Sequence, residues 1–178
     1  MYCAYVTLQW HVTQEMEGSL DAEGTAEVTD SNIAIARRLM DEVWGHGQVE
    51  LLDEIMVEDV IDHGAEGQSG GRQAVKDAVR MIRGAFPDLQ TVESDIVAQG
   101  DKVVRRWVNE GTHAGSFLGL PPTGNHIRVT GINIERIVGG RIVEYWHNFD
   151  MLGWLEQLGV AIPIQLPSSS SFAAEATE

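Results

Sequence analysis

The chain has 178 residues, of which 43% are hydrophobic and 22% charged, a composition typical of one globular domain. Its formal net charge of -15 argues against nucleic acid or an anionic membrane as a partner, because both are bound through clustered Lys and Arg. A lone cysteine, Cys3, excludes an internal disulfide framework. The sequence lacks a run of about 18 apolar residues, so we expect no membrane span. We therefore expect a cytoplasmic protein without a signal peptide.

The composition divides the chain into three parts. Residues 1–29 contain no Lys or Arg and are acidic in their second half, which predicts an N-terminal extension. Residues 163–178 are rich in Ser, Ala and Glu, which predicts a disordered tail. The domain between them, residues 30–162, begins where Asp30 or Ser31 can cap a helix.

Helical periodicity comes first along this domain, and strand periodicity follows. Before Pro87 the spacing of apolar residues predicts helices over residues 33–44, 49–55 and 74–86, with a brief strand over residues 57–63. After Pro87 it predicts strands over residues 89–98, 102–112, 127–138 and 141–149, and a final helix over residues 151–158. This order is typical of the α+β class. We expect a curved antiparallel or mixed sheet, covered by the early helices as a cone with an internal cavity.

Alternation along the strands sorts their side chains into two faces. In the last strand Tyr145, His147 and Phe149 share one face, and Trp146 lies on the other. Both faces carry large apolar groups, which leaves two interpretations. Either a second copy of the chain covers the outer face, through residues such as Trp146 and Ile134, or both faces are buried in a monomer. We expect a homo-oligomer, a dimer or tetramer, formed through the outer face.

His147 is the first candidate for a catalytic residue. An imidazole has an ordinary pKa of about 6.5, so at neutral pH it can accept a proton and return it. Its aromatic neighbours Tyr145 and Phe149 would supply a water-poor pocket that favours the neutral base. Asp150 could orient His147 or act as a second acid, and it could equally cap the final helix.

A further set of side chains could contact a substrate. These candidates are Asn133, Tyr145, Asp62, His63, His113, Trp107 and Phe117. Asp62 and His63 are neighbours in a strand, so only one can enter a given pocket. Asn133 needs a partner for its amide if its face is the inner one. His113 could contact a substrate or hold the backbone of the loop that it opens.

No sequence pattern points to a metal or an organic cofactor. The histidines lack a short ligand spacing such as H-x-x-x-H, and neither a G-x-G-x-x-G nor a P-loop occurs. We therefore expect a site that works with no cofactor.

The most informative motif is the Gly- and Pro-rich run GTHAGSFLGLPPTG at residues 111–124. With RIVGGRIVE at residues 136–144 and HNFD at residues 147–150, its spacing resembles the SnoaL-like polyketide (ester) cyclases over residues 31–160. The resemblance implies the α+β cone of the nuclear-transport-factor-2-like superfamily and a homo-oligomer. It also implies ring closure by intramolecular aldol addition, without metal or organic cofactor.

The resemblance further implies roles at three positions where this chain carries other residue types. In those cyclases the residue that corresponds to His147 looks to be an Asp, the essential acid/base. The residue that corresponds to Asn133 looks to be a His that assists it. The position of Asp62 resembles an Asn near the substrate. Here an imidazole at position 147 faces an amide at position 133, which keeps proton transfer possible because His is a competent base.

The expected function is therefore a cofactor-free cyclase or isomerase of secondary metabolism that acts on a bulky, apolar, ketone-bearing substrate. Two alternatives remain. The first is a non-catalytic protein of the same fold that binds a hydrophobic small molecule. The second is a dehydratase or hydrolase in which Asp62 or His63 pairs with His147.

Overall fold

A five-stranded mixed sheet organises the part of the chain that the computed structural model describes, namely residue 24, residues 26–64 and residues 70–161. Residues 1–23 of the predicted extension and the whole predicted tail lie outside the described residues. Within the described ranges, no helix is long and apolar enough to cross a lipid bilayer.

The helices and strands follow the predicted order. They are α1 (residues 26–38, continuing as π-helical turns over Leu39–Gly45), a 3₁₀ turn (Val49–Leu51), α2 (Leu52–Ile55), β1 (Met56–Asp62), α3 (Gly71–Ala85), β2 (Gln90–Gln99), β3 (Lys102–Thr112), β4 (His126–Val138), β5 (Arg141–Phe149) and α4 (Met151–Gln157). Residues 26–31 are already helical, so the prediction that Asp30 or Ser31 caps the first helix is wrong.

The strand order is β1-β5-β4-β3-β2, and β1 runs parallel to β5 while the other neighbours are antiparallel. Gly100 and the pair Gly139-Gly140 form the tight turns, with positive φ angles of 60°, 58° and 76° that glycine adopts without steric cost. The parallel contact places Asp62 opposite Tyr145, although 83 residues separate them in the chain. The α+β class with a mixed sheet is confirmed.

Burial identifies the inner face of the sheet. Val103 and Trp107 of β3 and Val129 and Ile137 of β4 are buried, whereas Ile132 on the opposite face of β4 is 43% exposed. The register of β4 and β5 places Tyr145, His147 and Phe149 on the buried side. Helices α1 and α3 pack over this face, and the apolar residues form two clusters beneath them.

An ion pair is fully buried within this inner face. Arg105 of β3 donates from Nε to Oε2 of Glu135 on β4 at 3.2 Å, and a second contact joins Nη2 to Oε1. Both side chains are 0% exposed, and Nη1 of Arg105 has no hydrogen-bond partner among the described residues. Because Glu135 lies opposite Tyr145, the pair sits directly beside the polar residues of β5.

Removal of one member of this pair should be costly. We expect Glu135→Leu to lower the free energy of unfolding by about 3–5 kcal/mol, because the guanidinium would remain buried without a counter-charge. Urea denaturation measures the change. The matched control is Arg106→Leu, whose 60% exposed side chain pairs with Asp95 at the surface and should cost about 0–1 kcal/mol. Equal costs for the two variants would contradict the structural role of the buried pair.

Candidate active site

An apolar cavity of about 340 Å³ lies between the inner face of the sheet and helices α1, α3 and α4. Helix side chains such as Leu39, Trp44 and Ile82 line one side of it, and Trp107 and Phe149 line the other. Its polar lining residues are Asp62, Asn109, Asn133, Tyr145 and His147. Among the described lining residues none is Lys, Arg or Glu, so the cavity suits a ligand that is largely apolar and uncharged.

Asp62 is the carboxylate of this cavity, and three donors surround it. Nε2 of His147 lies 3.1 Å from Oδ1, the Tyr145 hydroxyl donates to Oδ2 at 2.7 Å, and the Gly64 amide donates to Oδ1 at 2.8 Å. Burial alone would raise the pKa of Asp62, but the hydrogen bonds from His147, Tyr145 and Gly64 together hold it below its ordinary value. Burial and the neighbouring Asp62 raise the pKa of the Tyr145 hydroxyl, which therefore stays protonated and donates.

The ionised carboxylate fixes the tautomer of His147. A carboxylate only accepts hydrogen bonds, so Nε2 must carry the hydrogen in the contact with Asp62. The neutral ring then keeps its lone pair on Nδ1, which makes no hydrogen bond with the described residues. The ring lies between Tyr145 and Phe149, with centroids 5.7 and 6.1 Å away. His147 is thus arranged to take a proton at Nδ1 while Asp62 stabilises the resulting cation.

Gly64 allows this contact to form, and sequence reasoning missed it. A Cβ atom at Gly64 would lie 2.6 Å from Nε2 of His147 and 3.2 Å from Oδ1 of Asp62. Any larger residue would push the imidazole away from the carboxylate. No periodicity signals this requirement, because the close approach arises between segments distant in the chain.

Asn133 presents a second fixed polar group. It lies directly opposite His147 in the pairing of β4 with β5. Nε1 of Trp107 donates to its Oδ1 at 2.8 Å, and because an indole can only donate, the amide cannot be flipped. Its NH₂ group makes no hydrogen bond with the described residues and is available to an oxygen in the cavity. Gly131 permits this arrangement, since a Cβ there would lie 2.2 Å from the Trp107 ring.

Three of the predicted site residues, Asp150, His63 and His113, lie outside the cavity lining. Asp150 is the N-cap of α4, where Oδ1 accepts from the Gly153 amide at 2.8 Å, and the residue is exposed. His63 lies on the opposite face of the sheet from Asp62. Its ring stacks on Trp146 at 4.5 Å, and its Nε2 lies 2.9 Å from Glu144. The carboxylate that contacts His147 is therefore Asp62, and Asp150 instead begins the final helix.

The remaining candidates divide between the loop and the cavity wall. His113 is fully buried under the loop, where Nδ1 accepts from the Thr123 amide at 3.2 Å and the ring stacks on Phe86. It does not line the cavity, and its contacts hold the shape of the loop. Phe117 of the same loop does line the cavity, and it stacks on Trp154 at 4.6 Å. His113 thereby supports the wall that Phe117 forms.

The fold and the cavity together define the class of protein: an α+β cone that encloses a His–Asp pair in an apolar chamber. A model of the SnoaL-like polyketide cyclase family matches residues 34–158. The chain therefore belongs to the SnoaL-like polyketide cyclase family. This confirms the resemblance found in the sequence, and it confirms a cyclase-type enzyme of polyketide biosynthesis at the level of the family.

Individual relatives agree with this assignment. Aklanonic acid methyl ester cyclase DauD of Streptomyces sp. (strain C5) is 27% identical over 135 residues, which are 74% of this chain and 83% of that protein. The crystal structure of IdmH from Streptomyces antibioticus is 34% identical, covers 72% of this chain and 99% of that chain, and has a TM-score of 0.63. A SnoaL-like protein from Jannaschia sp. CCS1 is 24% identical, with a TM-score of 0.69 over 75% of this chain and 95% of its own, and shares the fold.

The hydrogen bond from Tyr145 to Asp62 can be tested by titration. We expect Tyr145→Phe to raise the pKa of Asp62, because the carboxylate loses a donor that stabilises its charged form while it remains buried. NMR of the carboxyl carbons against pH measures the shift. Asp88, whose pKa is lowered by hydrogen bonds from Thr112 outside the cavity, is an internal control and should not change.

The same variant should change the acid limb of the stability curve. A carboxyl group whose pKa is lowered in the folded state stabilises the fold above its unfolded pKa of about 3.9, and this contribution is lost as pH falls through the folded pKa. Since Tyr145→Phe raises the folded pKa of Asp62, the loss should begin at a higher pH. An Asp62 titration identical to that of the unaltered protein would contradict the assigned contact.

Proposed function

We propose that the chain closes a ring in a bulky, apolar, ketone-bearing polyketide substrate by acid–base catalysis, with His147 as the group that transfers the proton. The observation that carries this proposal is the 3.1 Å contact between Nε2 of His147 and Asp62 inside the apolar cavity. The contact leaves Nδ1 as the basic atom of the ring. Imidazole is a suitable base for a proton next to a ketone, because it exchanges protons near neutral pH.

The first step is removal of a proton. Nδ1 of His147 takes a proton from the carbon next to a substrate carbonyl, and the electron pair of the broken C–H bond moves onto the carbonyl oxygen as an enolate. The imidazolium that forms is stabilised by Asp62, which accepts from Nε2 throughout. The free NH₂ group of Asn133, opposite His147, can donate to the enolate oxygen where negative charge develops.

The second step forms the ring. The enolate carbon attacks a second carbonyl of the same molecule, a new C–C bond forms, and the attacked oxygen becomes an alkoxide. The imidazolium returns its proton to that alkoxide, which regenerates neutral His147. Product and substrate therefore have the same mass, and no cofactor enters the balance.

The Asp62 carboxylate also bears on the alternative of a protein that only binds a ligand. An ionised carboxylate in an apolar cavity costs desolvation free energy, which binding of an apolar molecule does not require. With a carboxylate at position 62 on β1 and an imidazole at position 147 on β5, the chamber keeps a base and a counter-charge that stabilises its protonated form. This supports catalysis over simple binding.

A dehydratase or hydrolase is the second candidate function, because the same contact between Asp62 and His147 could serve either reaction. Mass spectrometry of the product separates them. Ring closure by addition leaves the mass unchanged, whereas dehydration or hydrolysis changes it by one water. Aklanonic acid methyl ester, the compound in the name of the Streptomyces relative, is a suitable first probe.

Substitution of His147 tests the catalytic role. We expect His147→Gln and Asp62→Asn to lower kcat by about 10²- to 10⁴-fold, the range for loss of a positioned acid–base group, while circular dichroism shows a folded protein. The matched control is His63→Ala, which removes a histidine adjacent to Asp62 in sequence but on the other face of the sheet. Turnover that survives in His147→Gln would refute the proposed role of the imidazole.

We also propose that two copies of the chain pack through the outer face of the sheet. This face carries large apolar side chains in contact with solvent, among them Val92 at 58%, Val97 at 66% and Ile132 at 43% exposure. Val92 lies opposite Val108, and Val97 lies opposite Val104, so apolar pairs span β2 and β3 on either side of the surface ion pair of Arg106 with Asp95. A second copy would remove this surface from water.

Light scattering tests the association. We expect Ile132→Glu to convert a dimer to a monomer, because each copy would bring a carboxylate into an apolar contact. The control is Leu152→Glu, which places the same charge on an exposed position of α4, away from the sheet. A monomeric unaltered protein, or a dimer that survives Ile132→Glu, would contradict this proposal.

A further inference from the structure

Asn109 is a polar residue in the cavity that the reaction described above does not use. It lies on the inner face of β3, two residues beyond Trp107, and its partner across the sheet is Val129. The cavity wall around it is apolar and includes Phe117 and Ile127. Asn is disfavoured in strands, so its presence at this position is not explained by backbone preference.

Its side chain is hydrogen-bonded to the neighbouring strand β2. The Thr91 hydroxyl on β2 donates to Oδ1 of Asn109 at 2.8 Å. The NH₂ group makes no hydrogen bond with the described residues, as is also true of Asn133. Each of these two amides accepts a hydrogen bond at its oxygen from a strand residue, Thr91 for Asn109 and Trp107 for Asn133, with its NH₂ group left as a donor.

The two donors are well separated. Asn109 is level with Val129, and Asn133 is four residues farther along β4. At about 3.4 Å per residue, the two positions lie roughly 14 Å apart along the sheet. Asn133 is beside His147, and Asn109 is toward the loop that carries Phe117. Both NH₂ groups keep some solvent accessibility, so an oxygen of a bound ligand can reach each of them.

We propose that Asn109 forms a second polar subsite, which binds a carbonyl or hydroxyl oxygen on the part of the substrate remote from the reacting carbons. This inference rests on the proposed function, because it takes the His147 end as the reacting end. The substrate class follows from it: an elongated, uncharged molecule with hydrogen-bond acceptors near both ends. Trp107, which lies between the two amides, contacts the apolar body that joins them.

Binding of unreactive probes tests this subsite. The probes are 2,6-diacetylanthracene, which has a carbonyl at each end, and 2-acetylanthracene, which has one. Binding is followed by quenching of tryptophan fluorescence, since Trp44, Trp107 and Trp154 line the cavity. We expect the unaltered protein to bind the diacetyl probe about fivefold more tightly than the monoacetyl probe, the gain typical of one added hydrogen bond.

The decisive variants act on Asn109. Asn109→Leu keeps the side-chain volume and should abolish the fivefold preference, with affinity for the monoacetyl probe changed less than about twofold. Asn109→Asp replaces the donor by a group that only accepts and should also abolish it. The matched control is Asn148→Leu, at an exposed position on the outer face of β5, which should retain the preference.

Thr91→Val provides a second route that leaves Asn109 in place. Loss of the hydroxyl releases the amide, so the preference should fall without being abolished. A preference that persists in both Asn109 variants, or that the unaltered protein lacks, would overturn the subsite. The readout does not involve turnover, so an inactive but selective protein would contradict the proposed function and leave the subsite supported.

Discussion

The parallel pairing of β1 with β5 is the constraint on which the site depends. Among the strands of the described residues it is the one parallel contact, and it continues past the end of β1, where the His63 amide donates to the Tyr145 carbonyl at 2.9 Å. Asp62 is the last residue of β1, and its carboxylate contacts both Tyr145 and His147 of β5. A hairpin could not supply this approach, since hairpin partners are neighbours in sequence. The carboxylate therefore comes from a segment that the helix α3 and three strands separate from the imidazole.

Two sets of ionisable groups serve different purposes on the inner face of this sheet. Arg105 and Glu135 neutralise each other completely and are closed to solvent, so they can hold β3 against β4 without exchanging protons with a ligand. Asp62 is stabilised by hydrogen-bond donors that include the protonatable ring of His147. The two sets are adjacent, since Tyr145 lies opposite Glu135 on one side and opposite Asp62 on the other.

Much of the fold could be predicted from the sequence, because alternation and turn residues are local signals. The strands after Pro87, the glycine turns and the helix after Asp150 were all readable in this way. The inner face was not, because both faces of β5 carry large apolar groups and only the position of the helices decides between them. The carboxylate that contacts His147 could not be predicted either. Asp150 is near His147 in sequence, but Asp62 is near it in space. The pairing of β1 with β5 that brings Asp62 there has no local sequence signal. The close approach of Gly64 to the imidazole escaped prediction for the same reason.

The bare backbone at Gly131 has a consequence for how substrate range can change in this chain. The indole of Trp107 rests on that backbone and at the same time holds the amide of Asn133. Trimming the indole to admit a larger molecule would also free the amide to rotate, so chamber volume and carbonyl recognition are coupled on the sheet side. Leu39, Ala78 and Met81 on the helical side contribute apolar surface to the cavity and hold no polar group of the site in place. Divergence toward new substrates, natural or engineered, is therefore least constrained on the helical wall.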